Sequence, residues 1–173
     1  MTKTAPYILG LVVAALASAY GARAEGYSEG ERGELAKAVS AAKVSLGAGL
    51  SASEKEGTPI SAKFELEGGK LQLSVYTEKN GKFSEVVVDH QSGKITKTEP
   101  ITEGEDLSAA KAQGAAIGKA KSTLVEAVRK ATADRGGYAA VSAVAKIAEG
   151  HAVAEVMLVK GQEWKSVTVK LDE

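Results

Sequence analysis

Residues 60–90 and 141–171 carry one apolar pattern twice, at a constant offset of 81 and without a gap. Ile60, Ala62, Phe64 and Leu66 match Val141, Ala143, Ala145 and Ile147, and Leu71, Leu73 and Val75 match Ala152, Ala154 and Val156. Phe83 matches Trp164, and Val86 and Val88 match Val167 and Val169. A helical run precedes each copy, with Leu35, Ala38, Val39 and Ala42 aligned on Leu124, Ala127, Val128 and Ala131. Self-similarity on this scale sets the architecture before any single residue is interpreted. It predicts a tandem of helix-plus-three-strand units, with a longer loop in the first. It also sets no acid, base or nucleophile apart.

The local pattern fills in the elements. Helix one is expected over 31–46, where apolar residues recur at three-four spacing and Ser28 with Glu31 offers a capping box. Gly47 and Gly49 read as its end, and 47–58 (GAGLSASEKEGT) as a mobile loop. Strands are expected over 59–67, 70–78 and 82–89. Gly68-Gly69 and Asn80-Gly81 form the hairpin turns, and 94–97 is a short further strand. Residues 98–106 (TEPITEGED) read as an acidic linker, with Asp106 as the next N-cap. A run over 107–134 follows, as one helix or as two with a break near Ser122, where Thr123 and Glu126 offer a second capping box. Strands over 138–148, 151–160 and 163–171 complete the second unit, with turns at Gly150-His151 and Gly161-Gln162. Each antiparallel sheet has one apolar face and each helix one apolar stripe. The fold class is therefore α+β, with tandem helix-plus-three-stranded antiparallel units and helices on one face of the sheet. Whether the two sheets join edge to edge is left open.

Residues 1–24 read as a signal peptide: Lys3, the apolar core Ile8–Ala19, and Ala22-Arg23-Ala24 as a small-x-small cleavage site. The apolar run is shorter than the roughly 20 residues a spanning helix needs. The expectation is a periplasmic protein with no stable membrane anchor after cleavage near Glu25. Beyond residue 24, 20 basic residues face 22 acidic ones, so no electrostatic footprint for nucleic acid exists. The chain has no cysteine, so its core holds by packing alone.

Val86-Val87-Val88-Asp89-His90-Gln91-Ser92-Gly93-Lys94-Ile95 resembles the closing signature of a PepSY repeat, a valine-rich strand followed by Asp-x-x-Ser/Thr-Gly-x-Ile/Val. The resemblance covers about 31–97, and 123–173 more weakly, since no Ser/Thr-Gly step follows Val169. The chain is thus divided into a leader (1–24), a first PepSY-like repeat (25–97), the acidic linker (98–106) and a second repeat (107–173). The resemblance implies an exported protein that binds and inhibits a peptidase, or restrains it locally. The tandem layout is also similar to beta-lactamase inhibitory protein, whose sheet face grips an enzyme, although fold alone does not fix function. From physical chemistry alone, Asp89, Ser92 and Gly93 need only build a turn.

His90 and His151 sit at strand ends without a second ligand at zinc-like spacing. The carboxylate pairs Glu54/Glu56, Glu65/Glu67 and Glu103/Glu105/Asp106 lie on loops or outer strand faces and read as solvated charge. No catalytic, cofactor-binding or metal motif emerges. The remaining candidate is a surface. Strand alternation puts Tyr76, Phe83, Val153, Met157, Val159 and Trp164 on the face away from the helices, where aromatics and Met favour a protein partner. The sequence thus points to a steric binding protein whose partner contacts are Tyr76, Phe83, Met157 and Trp164. The alternative is a small-ligand or sensor module of an envelope-stress or metal-uptake pathway, which would hold a pocket between helix and sheet.

Overall fold

In a computed structural model, residues 28–173 are described. The predicted leader lies outside them. The elements are α1 (Glu29–Ser40), α2 (Leu46–Ser53), β1 (Thr58–Glu67), β2 (Lys70–Lys79), β3 (Lys82–Val88), β4 (Ile95–Ile101), α3 (Gly104–Ile117), α4 (Leu124–Ala133), β5 (Ala139–Ala148), β6 (His151–Lys160) and β7 (Glu163–Lys170). The strands form one antiparallel sheet of seven in the order β4-β3-β2-β1-β5-β6-β7. The fold is α+β, as the sequence predicts.

The register carries the repeat into three dimensions. Ala62 faces Val75, which faces Val86, while Ala143 faces Val156, which faces Val167, each pair shifted by the same 81 residues. Both first strands bulge at the same place, between Pro59 and Ser61 and between Ala140 and Ser142. β1 pairs with β5 about Ala62↔Ala143, two residues that correspond under the offset. A local twofold axis therefore passes between these alanines, and the two sheets join edge to edge.

The helices obey the same symmetry, but not in the alignment the sequence offered. The counterpart of α4 is α2, not α1. Ser45 and Thr123 are the N-caps, accepting from Ala48 N at 3.1 Å and Glu126 N at 3.2 Å. Leu46, Gly49, Leu50 and Ser53 are buried at the spacing of Leu124, Ala127, Val128 and Ala131. The connections before them are also matched. Lys43 N and Val44 N both donate to the His90 carbonyl at 3.0 Å, and Lys121 N and Ser122 N both donate to the Leu171 carbonyl at 2.6 and 3.0 Å.

Four expectations are corrected. Helix one stops at Ser40, and 46–53 is a buried helix rather than a mobile loop. The two glycines that suggested a stop lie inside α2. A Cβ on Gly49 would stand 2.4 Å from a methyl carbon of the buried Leu73, so glycine there is the condition for close helix–sheet contact. The 98–106 segment is no linker: 98–101 finish β4, which pairs with β3, and 104–106 open α3, so the backbone hydrogen bonds of this stretch go to the fold. Glu103, not Asp106, is the N-cap of α3, and it makes no side-chain cap hydrogen bond. The third hairpin turn is Glu149-Gly150, both at positive φ, and not Gly150-His151. Both expected capping boxes, Ser28/Glu31 and Thr123/Glu126, are formed. The Asn80-Gly81 turn has φ of 54° and 74°, the left-handed pair that a tight two-residue hairpin requires.

The main core lies between the sheet and α2 with α4, on the side of Ala62, Phe64, Leu73, Val75, Val86, Val88, Ala143, Ala145, Ala154 and Val156, and α1 adds Leu35, Ala36 and Val39. A second, small core joins Ile60, Phe83 and Ala110, with Tyr76, Ile101, Leu107 and Ile117 against it. Here α3 closes over the ends of β1–β3 and also packs on β5 and β6.

Leu50 is fully buried in the segment that reads as a loop. Leu50→Ala should cost about 2–5 kcal/mol in equilibrium denaturation, the range for a cavity in a packed core. A loss under about 0.5 kcal/mol, typical of surface positions, would contradict the placement of α2.

Candidate functional site

Alternation along the strands leaves a second sheet face, opposite α2 and α4. It carries Lys63, Glu65, Ser74, Tyr76, Glu85 and Val87 in the first half and Ser142, Val144, Lys146, Glu155, Met157 and Ser166 in the second. Its charges are largely internally matched. Lys63 Nζ lies 2.6 Å from Glu65, and Ser74 donates to Glu65 at 3.0 Å. Lys146 pairs with Glu155, which also accepts from Ser166 at 3.3 Å. Such partly exposed pairs add little stability and leave the face polar but nearly neutral.

The four residues expected on this face divide into two pairs at opposite ends of the sheet. Phe83 and Tyr76 lie together at the α3 end. Phe83 is only 9% exposed, because α3 covers it, and a Cβ on Gly114 would sit 3.1 Å from its ring. The expectation that Phe83 is a partner contact is therefore corrected: its parity is right, but a helix occupies the space. Tyr76 is half-buried, with its hydroxyl donating to Glu85 at 3.4 Å and Lys63 over its ring at 5.9 Å. Burial first, then the Glu85 and Glu65 charges, push its phenol well above the usual tyrosine range. Met157 and Trp164 lie at the other end, both half-buried, with Trp164 across from Val159. Val153 and Val159, also expected on the open face, are 4% exposed.

The turn after β3 is built by the signature residues. Asp89 Oδ1 accepts from Gln91 N at 3.2 Å and from Ser92 N and Ser92 Oγ, each at 2.6 Å. Gly93 takes φ of 74° and donates to the Asp89 carbonyl at 2.8 Å. These hydrogen bonds, with Ser92 as the main donor, hold the Asp89 carboxyl below its ordinary value. The turn also fixes the next carbonyl, that of His90, which receives the α1–α2 connection. In the second half Asp172 serves a related end. It accepts from Ala152 N at 3.2 Å and contacts His151 Nδ1 at 2.9 Å. Burial works to raise its pKa, but these hydrogen bonds prevail and lower it. Among the described residues no group of three or more His, Cys, Asp or Glu side chains could hold a metal ion.

The helical side holds two clefts that sequence reasoning did not locate, because α2 was read as a loop. The larger, about 610 Å³, lies between the α1–α2 connection, α2, α4 and the start of β5. Partly exposed Ala42, Val44 and Val125 give it apolar walls, with the buried Val39, Leu46, Phe64, Val128 and Ala140 behind them, and Lys43 and Arg129 are the charged residues lining it. The smaller, about 380 Å³, lies between the α3–α4 connection, the end of α2 and the start of β1, with Glu54 and Lys121 on its walls. No helix among the described residues is long and apolar enough to cross a membrane.

Residues 34–99 match the family model described as "PepSY: Peptidase propeptide and YPEB domain". The matched residues run from within α1 into β4, and the Asp89-Ser92-Gly93 turn lies inside them. The second half lies outside the matched residues. Among solved structures, the chain is similar to one described as a "putative lipoprotein" from Clostridium difficile 630. That match has 15% identity and a TM-score of 0.39, covering 69% of this chain and 79% of that one. No curated protein matches the sequence.

Asp89→Ala should lower the melting temperature, because it frees the turn that anchors the α1–α2 connection. A carboxyl whose folded pKa is lowered stabilises above its unfolded value, and that stabilisation is lost as pH falls through the folded value. The gap between wild type and variant should be full at neutral pH and narrow on acidification below the ordinary carboxyl range. A gap independent of pH in thermal melts would refute the role given to the ionised carboxylate.

Proposed function

We infer that this is an exported, non-catalytic PepSY-type binding protein that restrains a peptidase or another envelope enzyme by covering its cleft. The observation that carries the reading is the part of the sheet face that α3 leaves open, in a chain whose residues 34–99 match the PepSY family model. Beyond the strand ends that α3 covers beside Tyr76 and Phe83, that face crosses the β1–β5 seam from Lys63 and Glu65 to Met157 and Trp164. A rigid sheet is suited to steric occlusion, since little ordering is required on binding. Half-buried aromatic and Met side chains on a polar surround have the composition of an interface core. The shared register and shared bulge support treating residues 107–173 as a diverged second unit of the same kind. Export is supported by the leader, Lys3 with Ile8–Ala19 and Ala22-Arg23-Ala24, and the periplasm is the compartment this reading assigns to the mature chain.

A second reading, a small-ligand or sensor module of an envelope-stress or metal-uptake pathway, is favoured by the cleft between helices and sheet.

Crosslinking the tagged chain in its host's periplasm, followed by mass spectrometry, supplies the partner. A single enriched peptidase or hydrolase would support the occlusion reading, and background proteins alone would count against it. Against that partner, the double substitution Met157→Ala with Trp164→Ala should weaken binding tenfold or more, as truncated aromatic anchors do. Phe83→Ala should lower stability by about 3–5 kcal/mol and leave affinity of the folded protein unchanged. Unchanged affinity in the Met157/Trp164 double variant would sink the sheet-face mode.

A further inference from the structure

We propose that the cleft between α2, α4 and the α1–α2 connection binds a small amphipathic carboxylate, its apolar body against Ala42, Val44 and Val125 and its anionic head at Lys43 and Arg129. The inference is independent of the sheet-face reading, since the cleft opens on the helical side.

Three observations carry it. The first is size and lining. A volume of about 610 Å³ falls in the range of small-molecule sites, and its walls are mainly apolar with a few polar groups, as such sites are. The second is charge. Lys43 and Arg129 line the cleft and no carboxylate does. Among the described residues neither takes part in a salt bridge. Glu126, one turn before Arg129 on α4, is engaged at the helix start, where its carboxylate accepts from Thr123 N at 2.8 Å and from Thr123 Oγ1 at 3.3 Å. Tyr138, also on the wall, has Lys160 and Lys165 over its ring at 5.7 and 5.2 Å, and Glu163 partners its hydroxyl. The surroundings are therefore positive by more than one residue.

The third observation is an internal comparison. The two clefts are copies related by the local twofold axis. Lys43 corresponds to Lys121 in the connections, and Ala139 and Ala140 correspond to Thr58 and Pro59 at the strand starts. The duplication therefore made two similar hollows, and their charge has diverged. Arg129 corresponds to Ser51 and Thr132 to Glu54, so the larger cleft has two cations where the smaller sets one lysine against a carboxylate. A guanidinium suits a carboxylate because it offers parallel N–H donors to both oxygens. The apolar walls call for a hydrocarbon body, which distinguishes the ligand from a bare inorganic anion.

The test is calorimetric titration of the protein with decanoate, decanol and decyltrimethylammonium, each kept below its micellar range. Decanoate should bind with one site per chain, decanol should bind more weakly by about tenfold, matching the loss of charge-assisted hydrogen bonds, and the cation should not bind. Lys43→Gln with Arg129→Gln should lower decanoate affinity by a similar factor and leave decanol unchanged. Both side chains are exposed, and circular dichroism checks that the variant keeps its fold. Lys121→Gln, in the smaller cleft, should change nothing. No decanoate binding, equal binding of decanoate and decanol, or equal losses from Lys121→Gln and the double variant would each overturn the proposal.

Discussion

Everything in this molecule hangs on three residue pairs between β1 and β5: Ser61 with Val144, Ala62 with Ala143, and Lys63 with Ser142. Each half alone would present a long strand with unpaired backbone groups at its inner edge, a liability that sheets must cover. Pairing the two inner edges removes both at once. The central residues are alanines, almost fully buried, and Ala145, Ala152 and Ala154 continue the small side chains across the second half. Small residues there leave room for α2 and α4, which touch each other above the seam. Gly49 against Leu73 has the same origin. Because interiors are close-packed, volume given up by the sheet is taken by the helices, and a larger side chain at the seam would push the layers apart.

Duplication explains what the halves share, and their later divergence explains what each is suited to do. Both connections before the inner helices hook two N–H groups on one carbonyl just beyond the third strand. In the first half the Asp89 turn presents that carbonyl. In the second, Asp172 holds the neighbouring β6 backbone instead. The outer strand β4 exists only between the halves, whereas α3 precedes α4 as α1 precedes α2, and it covers Phe83. Its counterpart Trp164 keeps partial exposure. Around Phe83 the sheet face is closed by α3, and at the other end Val159 is buried while Trp164 packs partly exposed against the main core, so the inferred partner surface centres on Met157 and the exposed part of Trp164.

Most of the sheet was legible in the sequence because strand alternation and tight turns are local signals. Ile60–Val88 and Val141–Val169 have the predicted strands, and Asn80-Gly81 the predicted turn. The helices were less legible. Ser45 is an N-cap followed by Leu46 and Leu50, a helix start in plain view, but Gly47 and Gly49 outweighed it. Glycine disfavours helix by about 1 kcal/mol, and here tertiary contact overrides that preference. The pairing of α1 with α4 followed from the same omission. β4 was cut short because Pro100 and the acidic residues around it suggest a loop. On an outer strand a proline's missing N–H costs no ladder bond, and charge is at home there. The Met157 and Trp164 surface could be read from parity alone, whereas the fate of Phe83 depended on where a distant helix comes to rest. The cleft had no signal of its own, since Lys43 and Arg129 are 86 positions apart and meet only through the fold.

The central claim is that the Ala62/Ala143 seam makes two similar halves into one cooperative structure. Native-state hydrogen exchange tests it most directly, by following the amides of 61–66 and 141–146 as denaturant is raised. The account predicts that both segments exchange only through global unfolding, with one common free energy and denaturant slope. Exchange of either segment through a separate opening of its own half, at markedly lower free energy, would contradict it.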